Sequence, residues 1–210
     1  MRRITRHIIL FLAICATGAA FYLALAFKRP LVGLSMATAY GSLVLLAVSL
    51  AIGPWNKLRG LPNPVSSYLR RDIGIWAGVV GIVHVIAGLQ AHMGGKIWLY
   101  FLPPADATYA FPLRIDAFGL TNHAGLVATL ILLLLLALSS NASMRALGAR
   151  RWKSLQRWNY AGAVLVIAHG VVYQILEKRK AGFVAAFAAI VLITLAMQYA
   201  GFRMARKRTS

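Results

Sequence analysis

Six stretches of about twenty apolar residues, each without Lys, Arg, Asp or Glu, dominate this sequence. About 20 residues of α-helix cross a bilayer core of about 30 Å, and lipid offers no hydrogen-bond partner to a backbone that is not helical. A soluble protein would not carry six such runs. The sequence therefore predicts an all-α integral membrane protein, a six-transmembrane-helix bundle with spans at 8–27, 31–52, 73–91, 120–138, 158–176 and 182–202.

The sequence between the spans leaves no room for a second domain, and residues 1–210 are interpreted as one domain. The long connection at 92–119 is expected at the membrane surface, with its aromatic residues Trp98, Tyr100 and Phe101 at the interface. The basic start of the chain resembles a signal peptide, but its apolar run is too long for one, so an uncleaved first span is expected. The single cysteine, Cys15, excludes an intramolecular disulfide and is expected to serve packing.

The basic residues are distributed unevenly between the two sides of the predicted bundle. The chain has 23 Lys and Arg, only four acids and a formal charge of +19, which in a soluble protein would indicate a nucleic-acid partner. Sixteen of the 23 fall on the side of the termini and seven on the other. Because cytoplasmic loops are enriched in Lys and Arg, both termini are expected in the cytoplasm, with the basic rim against anionic membrane lipids. No nucleic-acid partner is expected.

Two histidines lie inside apolar spans, where an ionisable side chain indicates a function because its burial in hydrocarbon is costly. His84 follows Arg71 by 13 residues and His169 follows Arg157 by 12. At 1.5 Å per residue, both imidazoles would lie about 18–20 Å from the basic rim. Two imidazoles at one depth on different helices can ligate one haem iron from opposite sides.

Small residues share a helical face with His84. Ala77, Gly81, Gly88 and Ala91 stand seven and three residues before it and four and seven after it. Such a flank would allow a flat macrocycle to reach the imidazole. Small residues also allow membrane helices to pack closely, and this alternative stays open.

Two further histidines lie at the side away from the basic rim. His92 follows the third span and His123 begins the fourth. They could ligate a second haem, line an exit site for electrons, hold a metal substrate, or simply be polar residues at a wet interface. No span has a histidine in its cytoplasmic half, so nothing supports a bis-histidine haem there.

Several other chemistries lack the residues that they need. The sequence contains no G-x-G-x-x-G fingerprint and no Walker A motif. No span contains the carboxylate that a Ser-His-Asp hydrolase needs and that a proton-coupled transporter usually keeps. The main alternative is a proton- or metal-coupled transporter or channel that uses its intramembrane histidines. A protein that only scaffolds other membrane subunits is a further alternative.

Two segments, each leading to one of the intramembrane histidines, resemble the ferric reductase-like transmembrane family. The first is RRDIGIW at 70–76, with His84 eight residues later; the second is SNASMRALG at 140–148 and RWKSLQRWNY at 151–160, followed by His169. Closest within that family is the YedZ/MsrQ group, the haem-binding membrane subunit of the bacterial periplasmic methionine-sulfoxide reductase system. The resemblance covers about residues 53–173, and the six-helix layout covers the whole chain.

The resemblance implies haem b, with His84 and His169 as the axial ligands of its iron, in the haem-bearing electron-transfer subunit of an oxidoreductase of the bacterial inner membrane. Electrons would enter from a cytoplasmic flavin reductase or from quinol. They would leave to a periplasmic reductase, for which a molybdopterin-dependent enzyme is one candidate, or to ferric iron. Related subunits often carry a histidine just before the fifth span, where this chain has Gln156. FMN or quinone near Arg71 and Gln156 could bridge the gap between haem and the cytoplasmic rim.

Overall fold

The computed structural model describes residues 3–25, 27–61, 68–104 and 112–207. Six helical stretches in these residues are long and apolar enough to cross a membrane, which confirms the predicted all-α bundle. The helices are α1 (Arg3–Ala24), α2 (Pro30–Leu58), α3 (Tyr68–Ala91), α4 (Ala117–Ala137), α5 (Asn141–Gln156), α6 (Trp158–Leu176) and α7 (Ala181–Lys207). Two short 3-10 segments, Met93–Gly95 and Ile97–Tyr100, follow α3. The predicted spans correspond to α1–α4, α6 and α7.

The helices pack as two groups. α2 packs along α3 and along α7, and α4 packs along α6. Contacts between the groups are shorter: α3 meets α4, and α6 meets α7, over small areas. Within the described residues α3 and α6, the helices of His84 and His169, do not pack along one another.

Side-chain contacts place the loops at two ends, in the alternation that the charge pattern predicts. Arg6 Nε donates to the Asp72 carboxylate at 2.6 Å, so the starts of α1 and α3 share one end, called here the basic end. Arg29 Nη2 donates to the Ala91 carbonyl at 2.8 Å, so the α1–α2 loop and the end of α3 share the other, called the far end. That the basic end faces the cytoplasm stays a prediction.

α5 is a helix that the apolar runs of the sequence do not predict. Its side chains are mostly exposed and polar, so hydropathy gives no signal for it. Ser140 caps it by accepting a hydrogen bond from the Ser143 N–H at 2.9 Å, and the Trp152 indole donates to the Leu138 carbonyl at 2.8 Å. Gly148 breaks the helix with φ 71° and ψ 152°, a region that glycine alone adopts without strain.

Tyr100 differs from its sequence-based expectation. The neighbouring Trp98 is 57% exposed, as an interfacial residue can be, but Tyr100 is only 2% exposed. Its hydroxyl donates to the Gly88 carbonyl at 2.8 Å, and its ring stacks on Phe118 with centroids 5.6 Å apart. The expectation that Tyr100 lies at the interface is therefore wrong, because this hydrogen bond to α3 satisfies its hydroxyl in the interior. Burial raises the pKa of the Tyr100 hydroxyl above its ordinary value.

Cys15 also differs from its expectation. No residue of α1 is buried, and Cys15 is exposed on it. The expectation of a packing role is therefore wrong for the described chain, because this face of α1 has no neighbouring helix to pack against.

Candidate functional site

His84 and His169 occupy equivalent heights in the bundle. Each stands seven residues before the last residue of its helix, α3 or α6, which is about 10 Å of helix rise. Both side chains are partly buried. The two helices that carry these residues, α3 and α6, do not pack along one another within the described residues.

The His84 ring is oriented by α2. Its Nδ1 lies 2.9 Å from the Ser35 carbonyl oxygen and 3.3 Å from the Ser35 hydroxyl. A carbonyl oxygen only accepts, so this contact places the ring proton on Nδ1 and leaves the Nε2 lone pair available. Histidines that ligate metals are commonly oriented in this way, through the nitrogen that does not bind the metal.

The His169 ring is oriented in the same way by α4. Its Nδ1 lies 2.8 Å from the Thr121 carbonyl oxygen, which again leaves Nε2 as the free acceptor. The Tyr173 ring lies one helical turn away, with its centroid 4.7 Å from that of the imidazole. Gly125 of α4 lies directly beside the ring, because a Cβ built there would be 2.8 Å from Nδ1.

This donor set fits haem. Two neutral imidazoles with oriented Nε2 atoms could serve as the protein ligands of a haem iron, for which a porphyrin would supply the other four. Among the described residues, no group of three or more His, Cys, Asp or Glu could hold a metal ion without such a macrocycle.

Part of the small-residue face of α3 contacts neighbouring helices. A Cβ on Gly81 would lie 3.1 Å from the Ser42 hydroxyl of α2 and 3.0 Å from Leu132 of α4. The Ser42 hydroxyl also donates to the Ala77 carbonyl at 2.9 Å. Close helix packing, the alternative left open above, thus accounts for Ala77 and Gly81.

Gly88 is the small residue that lies beside the imidazole. A Cβ there would be 3.9 Å from Cε1 of His84 and 3.4 Å from the Ser35 hydroxyl. Both are ordinary van der Waals contact distances, so a methyl group at position 88 would fit without displacing the imidazole.

His92 and His123 are not joined by a hydrogen bond or ring contact among the described residues. The His92 carbonyl accepts from the Gly95 N–H at 3.3 Å. The His123 ring packs on Phe101 with centroids 5.6 Å apart, and its buried Nε2 has no hydrogen-bond partner in the described chain. Their role stays a prediction.

The basic end contains two polar side chains with unmatched atoms. Arg71 donates from Nη1 to Asn141 Oδ1 at 2.7 Å, but its buried Nε and Nη2 have no partner among the described residues. The same is true of Asn159 Oδ1, at the start of α6. Gln156 is the last residue of α5, at this end of the bundle.

Comparisons with known proteins identify several relatives of the chain. The chain is 28% identical over 170 residues to the protein-methionine-sulfoxide reductase heme-binding subunit MsrQ of Ralstonia nicotianae, covering 81% of this chain and 71% of that protein. It is 32% identical over 167 residues to MsrQ of Azospira oryzae, covering 80% and 64%. The chain is a relative of MsrQ. It is also 30% identical over 149 residues to the magnetosome protein MamZ of Magnetospirillum gryphiswaldense, covering 70% and 20%.

The relation to MsrQ confirms the resemblance drawn from the two sequence segments. No family model and no solved structure matches the chain. The chain spans between 61% and 71% of the length of four MsrQ relatives that it matches. With its six span-capable helices, this relation identifies a multi-pass protein of the bacterial inner membrane.

The residues that orient the imidazole rings of His84 and His169 were not predicted from the sequence. Backbone carbonyls of Ser35 and Thr121 hold the two imidazoles, and no side-chain pattern reveals a carbonyl acceptor. The spacing of Gly125 and Tyr173 could have pointed to them. Gly125 stands four residues after Thr121 and Tyr173 four residues after His169, so each shares a helical face with a residue of the site.

Proposed function

We propose that this chain binds one haem b between His84 and His169 and transfers electrons across the membrane as the haem-bearing subunit of an oxidoreductase. The observation that carries this proposal is the pair of imidazoles at equal height, each with Nδ1 on a backbone carbonyl and Nε2 available. When bound, haem supplies one-electron redox chemistry. The chain's own residues supply the two ligands, their orientation and surroundings of low dielectric constant.

The electron acceptor is proposed from the names of the relatives, and the electron donor from the lack of a dinucleotide-binding motif in the sequence. The MsrQ relatives are named as heme-binding subunits of protein-methionine-sulfoxide reductase, so a periplasmic reductase, with molybdopterin as a candidate cofactor, is the proposed acceptor. Ferric iron is the second candidate. The donor is a cytoplasmic flavin reductase or quinol, because the sequence carries no dinucleotide-binding motif.

A second carrier, FMN or quinone, is proposed at the basic end near Arg71 and Gln156. The unmatched Arg71 donors suit a phosphate or a quinone oxygen, and the unmatched Asn159 oxygen suits a donor group. Protein freed of flavin and quinone that still accepted electrons from the cytoplasmic donor would contradict this part of the proposal.

The decisive experiment is a spectrum of the purified protein. Protein from haem-sufficient cells should be red, give a dithionite-reduced cytochrome b spectrum and contain one haem per chain. His84→Ala and His169→Ala should each abolish that spectrum, because each removes an axial ligand. His123→Ala is the matched control and should keep one haem per chain.

Two outcomes would count against the proposal. A colourless preparation would exclude haem and favour a transporter or channel that uses the same histidines. Loss of haem in His123→Ala, with retention in His84→Ala, would move the site to the far-end histidines.

A further inference from the structure

The His169 ring lies in a tight socket made by two helices. Gly125 of α4 lies against the ring, and the Tyr173 ring is 4.7 Å away between centroids. The Thr121 carbonyl oxygen lies 2.8 Å from Nδ1. The ring is therefore confined in position and in rotation.

We propose that Gly125, together with the hydrogen bond between Tyr173 and Asn122, sets the orientation in which His169 presents Nε2. These are positioning residues, which act through His169. The inference rests on the proposed function, and it assigns a task to α4, a helix that supplies neither axial ligand.

Gly125 has no side chain, and this leaves room for the His169 ring. A Cβ at this position would lie 2.8 Å from Nδ1 and 3.0 Å from Cε1 of His169, closer than side-chain atoms ordinarily pack. The imidazole is rigid, so moving these two atoms also moves Nε2. Moving Nδ1 would also disturb its 2.8 Å contact with the Thr121 carbonyl. An alanine at 125 would thus disturb both the direction of Nε2 and the hydrogen bond that orients it.

Tyr173 closes the socket because its own position is fixed. Its hydroxyl donates to Asn122 Oδ1 at 2.9 Å. The Asn122 amide in turn donates from Nδ2 to the Phe118 carbonyl at 2.7 Å, which sets the direction of Oδ1. The Tyr173 ring is thereby tied to α4 and cannot swing away from His169.

The two ligand sites differ in this respect. A Cβ on Gly88 would lie 3.9 Å from Cε1 of His84, at ordinary contact distance, whereas the corresponding distance for Gly125 and His169 is 3.0 Å. An added methyl group at the neighbouring glycine would therefore press on His169 more closely than on His84.

The hydrogen bond that orients His169 should also affect the midpoint potential of the bound haem. A hydrogen bond from Nδ1–H to a carbonyl makes an imidazole a stronger donor to iron, and a stronger donor favours the ferric form. Weakening the contact with the Thr121 carbonyl should therefore raise the midpoint potential.

The test uses the full-length haem-loaded protein and the variants Gly125→Ala, Tyr173→Phe and Gly162→Ala. Haem per chain, the low-spin ferric EPR signal and the midpoint potential are measured for each. Gly125→Ala should keep less than half of the wild-type haem, show a high-spin fraction and have a raised potential. Tyr173→Phe should keep its haem, with a smaller upward shift and altered EPR g-values.

Gly162→Ala controls for packing between α4 and α6. Gly162 lies in α6, seven residues before His169, and a Cβ there would lie 3.2 Å from Ile131 of α4. This variant should keep the wild-type spectrum and potential. If Gly125→Ala fails to accumulate, Tyr173→Phe decides, because it removes only the oxygen that bonds to Asn122 and keeps the aromatic ring. The inference is overturned if Tyr173→Phe, and Gly125→Ala where it can be obtained, show wild-type g-values and midpoint potential. Wild-type protein without haem would instead overturn the proposed function.

Discussion

Asp72 organises the basic end through contacts of a single carboxylate. Its side chain is fully buried in α3 and accepts from Arg3 Nε at 3.2 Å and Arg6 Nε at 2.6 Å. His7 Nε2 lies 3.4 Å from the same carboxylate, and the Trp76 indole donates to His7 Nδ1 at 3.2 Å. The basic leader of α1, which resembles the start of a signal peptide in sequence, is thus bound to α3 as part of the bundle.

Replacing Asp72 by asparagine should destabilise the bundle without removing haem. The change removes the charge that two guanidinium groups share and should cost about 1.5–3 kcal/mol, the range for a hydrogen bond to a charged group. Thermal unfolding in detergent measures the loss, and the haem spectrum should stay unchanged because Asp72 lies far from His84 along α3. Glu177→Gln is the control: that carboxylate lies 3.9 Å from Arg179 near the surface and should contribute less than about 1 kcal/mol. Equal stability of the two variants would contradict this account.

Among the helix pairs, α2 and α3 have the most extensive contact, and small residues allow it. Gly81→Leu should force these helices apart, since even a Cβ at 81 would lie about 3 Å from Ser42 and Leu132. Overpacking of this kind costs about 1–3 kcal/mol. Gly18→Leu on α1 is the matched control, because a Cβ there has no neighbour within 4 Å. The measurements are folded yield and midpoint of thermal unfolding; a Gly81→Leu protein as stable as Gly18→Leu would show that the interface tolerates the added volume.

Elements differed in how far the sequence could predict them. The spans were predictable because lipid leaves an apolar helix as the only choice for such runs. α5 was not, because a polar surface helix depends on its cap at Ser140 and on the anchoring of Trp152, not on hydropathy. Tyr100 was misplaced because aromatic residues near a span end suit the interface and the interior equally well. The partner that decided its place, the Gly88 carbonyl, is a backbone atom.

At the scale of the whole molecule, the candidate site joins the two helix groups. His84 comes from the group of α2, α3 and α7, and His169 comes from the pair α4 and α6. Counting residues from the arginines predicts that the two rings lie at one depth, because helix rise is constant, and both histidines stand seven residues before the last residue of their helices. It could not predict that α2 and α4 hold the rings, since that depends on which helices become neighbours.

The orientation of the bundle in the membrane is the last prediction. Sixteen Lys and Arg fall on the side of the basic end and seven on the far side, and this bias should keep the basic end in the cytoplasm. In a Cys15→Ser background, Ile97→Cys at the far end should react with a membrane-impermeant maleimide in intact spheroplasts. Ser154→Cys on α5 should react only after permeabilisation; both side chains are exposed. The reverse labelling pattern would invert the topology and, with it, the proposed direction of electron transfer.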